Sequence, residues 1–208
     1  MGKASHPLLR LVVVLAVLVF AAAGCSRSPK IRRLAADAVV VAFGDSLTSG
    51  HGAEEGQDFP TVLAKLSGWQ VINAGIPGEM SGVGLGRLPS VLAEHRPALV
   101  ILCHGGNDIL TGAPPASIAA NLDAMIRHCR EAGADVLLVA VPQKGFVLKP
   151  AAFYAEVAKR NGIPCNERII ANVLSKPPLK SDYVHPNAKG YALIAETLLG
   201  DLRRAQSR

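Results

Sequence analysis

Short apolar runs of strand length, each followed by a helix-like segment, constrain the fold of this 208-residue chain most strongly. Residues 39–43, Val-Val-Val-Ala-Phe, are apolar throughout, which is typical of a strand covered on both faces. The other predicted strands are 70–73, 98–104, 135–141 and 163–166. Strands that alternate with helices form right-handed βαβ units. The pattern therefore predicts an α/β fold, a three-layer α/β/α sandwich around a parallel sheet.

Helical spacing of apolar residues predicts the helices at 60–66, 82–95, 116–132, 150–161 and 188–204. Half of the residues are apolar and 4% are aromatic, so the chain can bury a sizeable aliphatic core. We expect one domain, from residue 38 to residue 208.

The first 24 residues have the pattern of a secretory signal peptide, in which basic residues precede an apolar run that ends in small residues. The run, 11–23, is shorter than the about 20 residues that a membrane span needs. Residues 22–25, Ala-Ala-Gly-Cys, resemble the lipobox of bacterial lipoproteins, although Ala22 stands where a larger aliphatic residue is usual. We predict an exported, periplasmic or membrane-anchored protein lipidated at Cys25. Ordinary signal cleavage and a retained anchor are the alternatives.

Residues 25–37 are predicted to form a basic, poorly ordered tether. Residues 1–37 contain six basic groups and one acidic group, so most of the net charge of +6 lies there. Residues 38–208 contain 16 basic and 15 acidic groups. Nucleic-acid binding needs a basic face on the folded domain, and composition provides none. The cysteines after the tether, Cys103, Cys129 and Cys165, lack metal-ligand spacing, and a disulfide between two of them stays open.

Polar residues follow three of the predicted strands at the point where each strand ends. They are 44–46 (Gly-Asp-Ser), 73–75 (Asn-Ala-Gly) and 105–108 (Gly-Gly-Asn-Asp). Ligands of an open α/β sheet bind at this edge. A serine there faces a cleft, so Ser46 is a candidate nucleophile. The alternative is that Asp45 or Ser46 merely caps the next helix.

Nucleophilic acyl transfer needs a base for the serine hydroxyl, and histidine oriented by a carboxylate is the usual one. The motif Asp182-x-x-His185 precedes the last helix and provides both groups. The tetrahedral oxyanion needs hydrogen-bond donors placed in advance. We expect these donors to be the Ser46 N–H, the Gly75 N–H and the Asn107 side-chain amide.

With these residues in place, the sequence resembles the SGNH (GDSL) hydrolase superfamily over about residues 38–202, and in particular bacterial periplasmic acyl-thioesterases, arylesterases and lysophospholipases. The four matching blocks, in order, are 44–47 (Gly-Asp-Ser-Leu), 73–78 (Asn-Ala-Gly-Ile-Pro-Gly), 105–108 (Gly-Gly-Asn-Asp) and 181–187 (Ser-Asp-Tyr-Val-His-Pro-Asn). The resemblance implies a flavodoxin-like five-stranded sheet with strand order 2-1-3-4-5 and no metal or organic cofactor.

The resemblance also implies a role for each site residue: Ser46 as nucleophile, Gly75 and Asn107 as oxyanion donors, and Asp182 and His185 as the remaining catalytic pair. Two further histidines have simpler expected roles. His104 is tempting as a second base, but we expect it to pack at a strand end. His51, in a glycine-rich loop, is expected to be solvated.

Apolar residues flank the catalytic blocks, which predicts a groove for an acyl chain. They are Leu47, Ile76, Ile109, Leu110 and Val184. We expect hydrolysis of carboxylic esters or thioesters with short to medium acyl groups through an acyl-serine intermediate. A carbohydrate O-acetylesterase with the same residues is one alternative. A non-catalytic surface lipoprotein or binding module is another.

Overall fold

The computed structural model of the protein describes residues 30–145 and 147–206. The predicted signal peptide and the predicted lipidation at Cys25 lie outside the described residues. Ile31, in the predicted tether, has a side chain that is only 3% exposed, and its N–H donates to the Ala205 carbonyl. Arg32 forms an ion pair with Asp135 at 3.0 Å. The described end of the predicted tether, from Ile31 onward, is therefore packed on the domain.

The centre of the molecule is a five-stranded parallel sheet with the order β2-β1-β3-β4-β5, as predicted. Its strands are β1 (Val39–Gly44), β2 (Gln70–Gly75), β3 (Leu99–Cys103), β4 (Asp135–Val139) and β5 (Cys165–Asn166). Every residue of β3 is buried, because a central parallel strand is covered by helices on both faces. The apolar runs of the sequence thus correspond to the middle of the sheet.

Eight α-helices surround the sheet in the described part of the chain. They are α1 (Ser46–Ser49), α2 (Phe59–Ser67), α3 (Ser81–His95), α4 (Gly106–Thr111), α5 (Pro115–Glu131), α6 (Phe153–Asn161), α7 (Ile169–Leu174) and α8 (Ala188–Gln206). Helix α2 packs on α8, whereas α5 packs on both α3 and α6. These two groups of helices form the outer layers of the sandwich. None of the described helices is long and apolar enough to cross a bilayer.

Local sequence signals explain where several helices begin and end. Asp58 caps α2 by accepting a hydrogen bond from the Thr61 N–H at 2.9 Å, and Pro60 occupies the first turn. Helix α6 starts later than predicted, because Pro150 pairs with Pro142 in an antiparallel bridge. Helix α4 was not predicted, because its apolar stretch is short and glycines precede it.

Candidate active site

Ser46, His185 and Asp182 form a hydrogen-bonded chain at the carboxyl edge of the sheet. The Ser46 Oγ lies 3.0 Å from the His185 Nε2, although 139 positions separate the two residues. The His185 Nδ1 lies 2.8 Å from the Asp182 Oδ2. The same carboxylate accepts hydrogen bonds from the backbone N–H groups of Val184 and His185. Burial opposes ionisation of Asp182, but these hydrogen bonds hold its pKa below the usual range.

Asp45 joins the ends of two strands beside the serine. Its carboxylate accepts hydrogen bonds from the Leu47 N–H at 3.1 Å and from the Gly106 N–H at 3.2 Å. Asp45 is thus the N-cap of α1. The capping role therefore belongs to Asp45, and the Ser46 hydroxyl faces His185. Burial raises the pKa of Asp45, against the opposing effect of His104.

Asn107 contacts the loop that follows β2. Its side-chain amide donates to the Glu79 carbonyl at 3.0 Å. The Glu79 carboxylate is almost fully buried and accepts two hydrogen bonds from Arg87, at 2.8 and 2.7 Å. The same Glu79 carboxylate lies 3.0 Å from the His104 Nε2. The guanidinium of Arg87 also lies over the Phe43 ring. A buried ionic network therefore holds the loop against the sheet.

His104 is fully buried at the end of β3, and it is not among the residues that line the cleft. Its Nδ1 accepts a hydrogen bond from the Gly105 N–H, so the ring proton resides on Nε2 and is donated to Glu79. Burial opposes ionisation of Glu79, but the hydrogen bonds from Arg87 and His104 keep its pKa below the ordinary value.

The Gly75 N–H, which the sequence predicts as an oxyanion donor, already has a hydrogen-bond acceptor in the structure. That N–H donates to the Asn73 side-chain oxygen at 3.0 Å. Glycine is required there for packing, because a Cβ would lie 2.3 Å from the Ser49 backbone nitrogen and 2.8 Å from the Asp45 carbonyl oxygen.

Gly78 lies in the Ile76–Glu79 turn with a φ of 78°. Pro-Gly is a turn signal, and from the sequence this residue was named only as the last position of the block 73–78.

A cleft of about 800 Å³ opens at the serine. Four of the five predicted groove residues line it: Leu47, Ile109, Leu110 and Val184. The fifth, Ile76, is 42% exposed and is not among the residues that line the cleft. The segment after β4 also lines the cleft, and no role in the site was predicted for it from the sequence. Its described lining residues are 141–145, 147 and 148.

His51 is exposed, as predicted, but it also lies against His185, with the ring centroids 4.4 Å apart. Together with Asp182, these two histidines have ligand atoms that all lie within 4.8 Å of one another. Within residues 30–145 and 147–206, this is the group that could hold a metal ion.

The described cysteines are free thiols, and burial raises the pKa of both Cys129 and Cys165 to about 12.

Serine hydrolases use this arrangement, in which a serine, a histidine and an aspartate are hydrogen-bonded in that order at the edge of a parallel sheet where ligands bind. Comparison with known proteins agrees with that class. The model of the GDSL-like lipase/acylhydrolase family matches residues 42–193, and the chain belongs to this family. The predicted membership is therefore confirmed, and the protein is a hydrolase of ester bonds.

Two curated relatives and one solved structure illustrate the similarity. Esterase TesA of Pseudomonas aeruginosa is 37% identical over 123 residues, which are 57% of this chain and 61% of TesA. Thioesterase 1/protease 1/lysophospholipase L1 of Escherichia coli K12 is 30% identical over 182 residues, 83% of this chain and 86% of that protein. The psychrotrophic esterase EstA of Pseudoalteromonas has a TM-score of 0.74 at 23% identity, covering 83% of this chain and all of EstA, and shows the shared fold.

Proposed function

We propose that this protein hydrolyses carboxylic esters or thioesters of short to medium acyl groups through an acyl-serine intermediate on Ser46. The observation that carries the proposal is the chain from the Ser46 Oγ to the His185 Nε2 and on to the Asp182 carboxylate. This chain opens into a cleft with apolar walls, which suits an acyl group.

In the proposed mechanism, His185 takes the proton of Ser46 as the hydroxyl attacks the acyl carbon. Asp182 holds the imidazole with its proton on Nδ1 and stabilises the imidazolium. The imidazolium then protonates the leaving alkoxide or thiolate, and the acyl-serine ester remains. Water, deprotonated by the same histidine, attacks that ester and releases the carboxylic acid. His185 gives up the proton that it takes in each half of the cycle, so the cycle consumes only the ester or thioester and one water.

We propose that the Ser46 N–H, the Asn107 amide and the Gly78 N–H stabilise the oxyanion. The Asn107 amide donates to the Glu79 carbonyl with one of its two protons, so its second proton can serve the substrate. The Gly78 N–H has no hydrogen-bond acceptor among the residues that the structure describes. Gly78 adjoins the residue that Asn107 contacts, which makes it the better backbone donor than Gly75.

The acyl chain is proposed to lie along the apolar side of the cleft, between Leu47, Ile109 and Leu148. Lys144 and Lys180 line the same cleft. Thioesters and lysophospholipids are candidate substrates, in line with the activities for which the E. coli relative is named, and aryl esters are a third candidate, in line with the similar arylesterase of Vibrio mimicus. Apolar side chains around the nucleophile favour these over a substrate that presents only an acetyl group.

The proposal is tested with a series of p-nitrophenyl esters of increasing acyl length. Ser46→Ala is expected to abolish turnover, and a fluorophosphonate is expected to label Ser46 in a mass spectrum. Ser117→Ala is the matched control, because the Ser117 hydroxyl lies on the surface of α5 and bonds to the Pro114 carbonyl. Turnover that survives Ser46→Ala would refute the mechanism.

We also propose that the chain is exported and that Cys25 carries lipid. The support is the signal-like leader and the Ala-Ala-Gly-Cys sequence at 22–25. Growth of a producing bacterium with radioactive fatty acid is expected to label the parent chain and not Cys25→Ala. An unlabelled parent chain would contradict lipidation.

A further inference from the structure

A second histidine lies beside the catalytic pair and has no part in the proposed reaction. His51 follows α1, and its ring centroid is 4.4 Å from that of His185. Its backbone is well fixed, because the His51 N–H donates to the Ser46 carbonyl and the His51 carbonyl accepts from the Tyr191 hydroxyl at 2.8 Å. The fold therefore holds this imidazole near the pair while leaving its side chain exposed.

Two imidazoles and one carboxylate are a ligand set that Zn²⁺ favours. Three such ligands at about 2.1 Å from a tetrahedral zinc ion stand roughly 3.4 Å from one another. The ligand atoms of His51, Asp182 and His185 already lie within 4.8 Å of one another. Small rotations of the exposed His51 and Asp182 side chains can shorten the distances between the ligand atoms to this value. The fourth position on the ion is then left for water.

We propose that His51, Asp182 and His185 form a site for Zn²⁺ or a divalent ion of similar ligand preference, and that its occupation inhibits the enzyme. The inhibition rests on the proposed role of His185 as the base. If zinc binds the His185 Nε2, that nitrogen loses its hydrogen bond with the Ser46 hydroxyl. If zinc binds Nδ1, the ring proton must reside on Nε2, which then cannot accept the serine proton. Either geometry removes the base.

The thiols offer no comparable site in the described chain. Cys103 and Cys129 are buried, and burial raises the pKa of Cys103 and Cys129 and so disfavours the thiolate that binds metal. His128 is paired with Glu131, but these two residues have no third ligand nearby among the described residues. His51 is thus the residue on which zinc binding should depend.

The full chain is first freed of metal with a chelator and then assayed with a p-nitrophenyl ester at rising zinc chloride concentration. Zinc is expected to inhibit the parent protein, and excess chelator to restore its rate. Inhibition of each variant is expressed against its own rate without zinc. His51→Gln is expected to need at least tenfold more zinc for half-inhibition, whereas the surface control His128→Gln is expected to match the parent.

Calorimetric titration of zinc into Ser46→Ala gives a readout that does not depend on activity. One ion is expected to bind to Ser46→Ala, with affinity at least tenfold lower when His51→Gln is added. Absence of zinc binding, or equal binding and inhibition with and without His51, would overturn the metal site. Hydrolysis that survives Ser46→Ala would instead refute the proposed function, and the zinc titration would still report on the site.

Discussion

The buried carboxylate of Glu79 offers the sharpest test of how the structure holds its active-site loop. Glu79→Gln keeps the size of the side chain but removes the charge that faces Arg87. The amide would also direct N–H groups at a guanidinium or at the His104 Nε2–H, neither of which accepts a hydrogen bond. The substitution therefore leaves a largely buried cation without its partner.

The expected cost follows from the burial of the two partners. Breaking a buried ion pair by removing one partner costs about 3–5 kcal/mol. The Glu79 side chain is 3% exposed, but the Arg87 side chain is 22% exposed, so water can partly solvate the remaining cation. We therefore expect the lower end, about 3 kcal/mol of unfolding free energy. For a domain of this size, that lowers the Tm by roughly 6–12 °C.

The pH dependence has a defined sign. The folded pKa of Glu79 is below its ordinary value of 4.5, so the unfolded state binds the proton more readily than the folded state. The stabilisation is complete above that ordinary value and is lost as pH falls through the lowered pKa. Glu79→Gln has no such group, so the stability gap between parent and variant should narrow as pH falls below 4.5.

The assay is urea unfolding followed by circular dichroism at pH 7 and at several values below 4.5. Glu94→Gln is the control, because Glu94 lies on α3, the helix that contains Arg87, with a side chain that is 73% exposed. We expect Glu94→Gln to change the free energy of unfolding by less than about 0.5 kcal/mol. A Glu79→Gln variant as stable as the parent at pH 7, or a gap that widens in acid, would refute the reasoning.

Three other substitutions test separate parts of the site. Asn107→Ala is expected to lower kcat for a p-nitrophenyl ester by about 100-fold or more with little change in KM, because one oxyanion donor is lost; a change below about threefold would contradict that role. Gly75→Ala places a methyl group 2.3 Å from the Ser49 backbone nitrogen, so thermal unfolding should show a Tm lower by more than about 4 °C, and an unchanged Tm would contradict the packing role. Tyr154→Phe removes a buried hydroxyl that donates to the His104 carbonyl at 2.7 Å, and urea unfolding should show a loss of about 1–2 kcal/mol. Equal stability of that variant and the parent would count against the hydrogen bond.

The parts of the fold and site that follow from local chemistry could be predicted from the sequence. The apolar run of β1 and the cap formed by Asp58 are local signals, and both correspond to observed elements. The position of Ser46 at the carboxyl edge of the sheet was also predictable, and the pairing of Ser46 with His185 was predicted from the chemistry of acyl transfer and from the resemblance to the hydrolase superfamily. The strand and the cap needed only local sequence patterns, whereas the catalytic pair also needed the four sequence blocks that resemble the superfamily.

Three features that the sequence did not predict depend on how backbone groups and side chains are oriented in the folded domain. Gly75 was chosen because glycine permits close approach, but its close neighbour is α1 and its N–H bonds to Asn73. Ile76 follows β2 in sequence, yet it is 42% exposed and is not among the residues that line the cleft. The contact between His51 and His185 joins two loops whose relative position is set by packing over the whole domain. Sequence spacing contains no information on such contacts.

The packing of Ile31 and Arg32 determines which way the catalytic cleft would face in a lipidated protein. Arg32 binds Asp135, the first residue of β4, so the chain enters the domain at the amino ends of the strands. Ser46 lies at the carboxyl ends, on the far side of the sheet. Six residue steps from Cys25 to Ile31 span at most about 22 Å. A protein anchored at Cys25 would therefore stand on the bilayer with its cleft turned outward, and would draw its substrates from the aqueous phase.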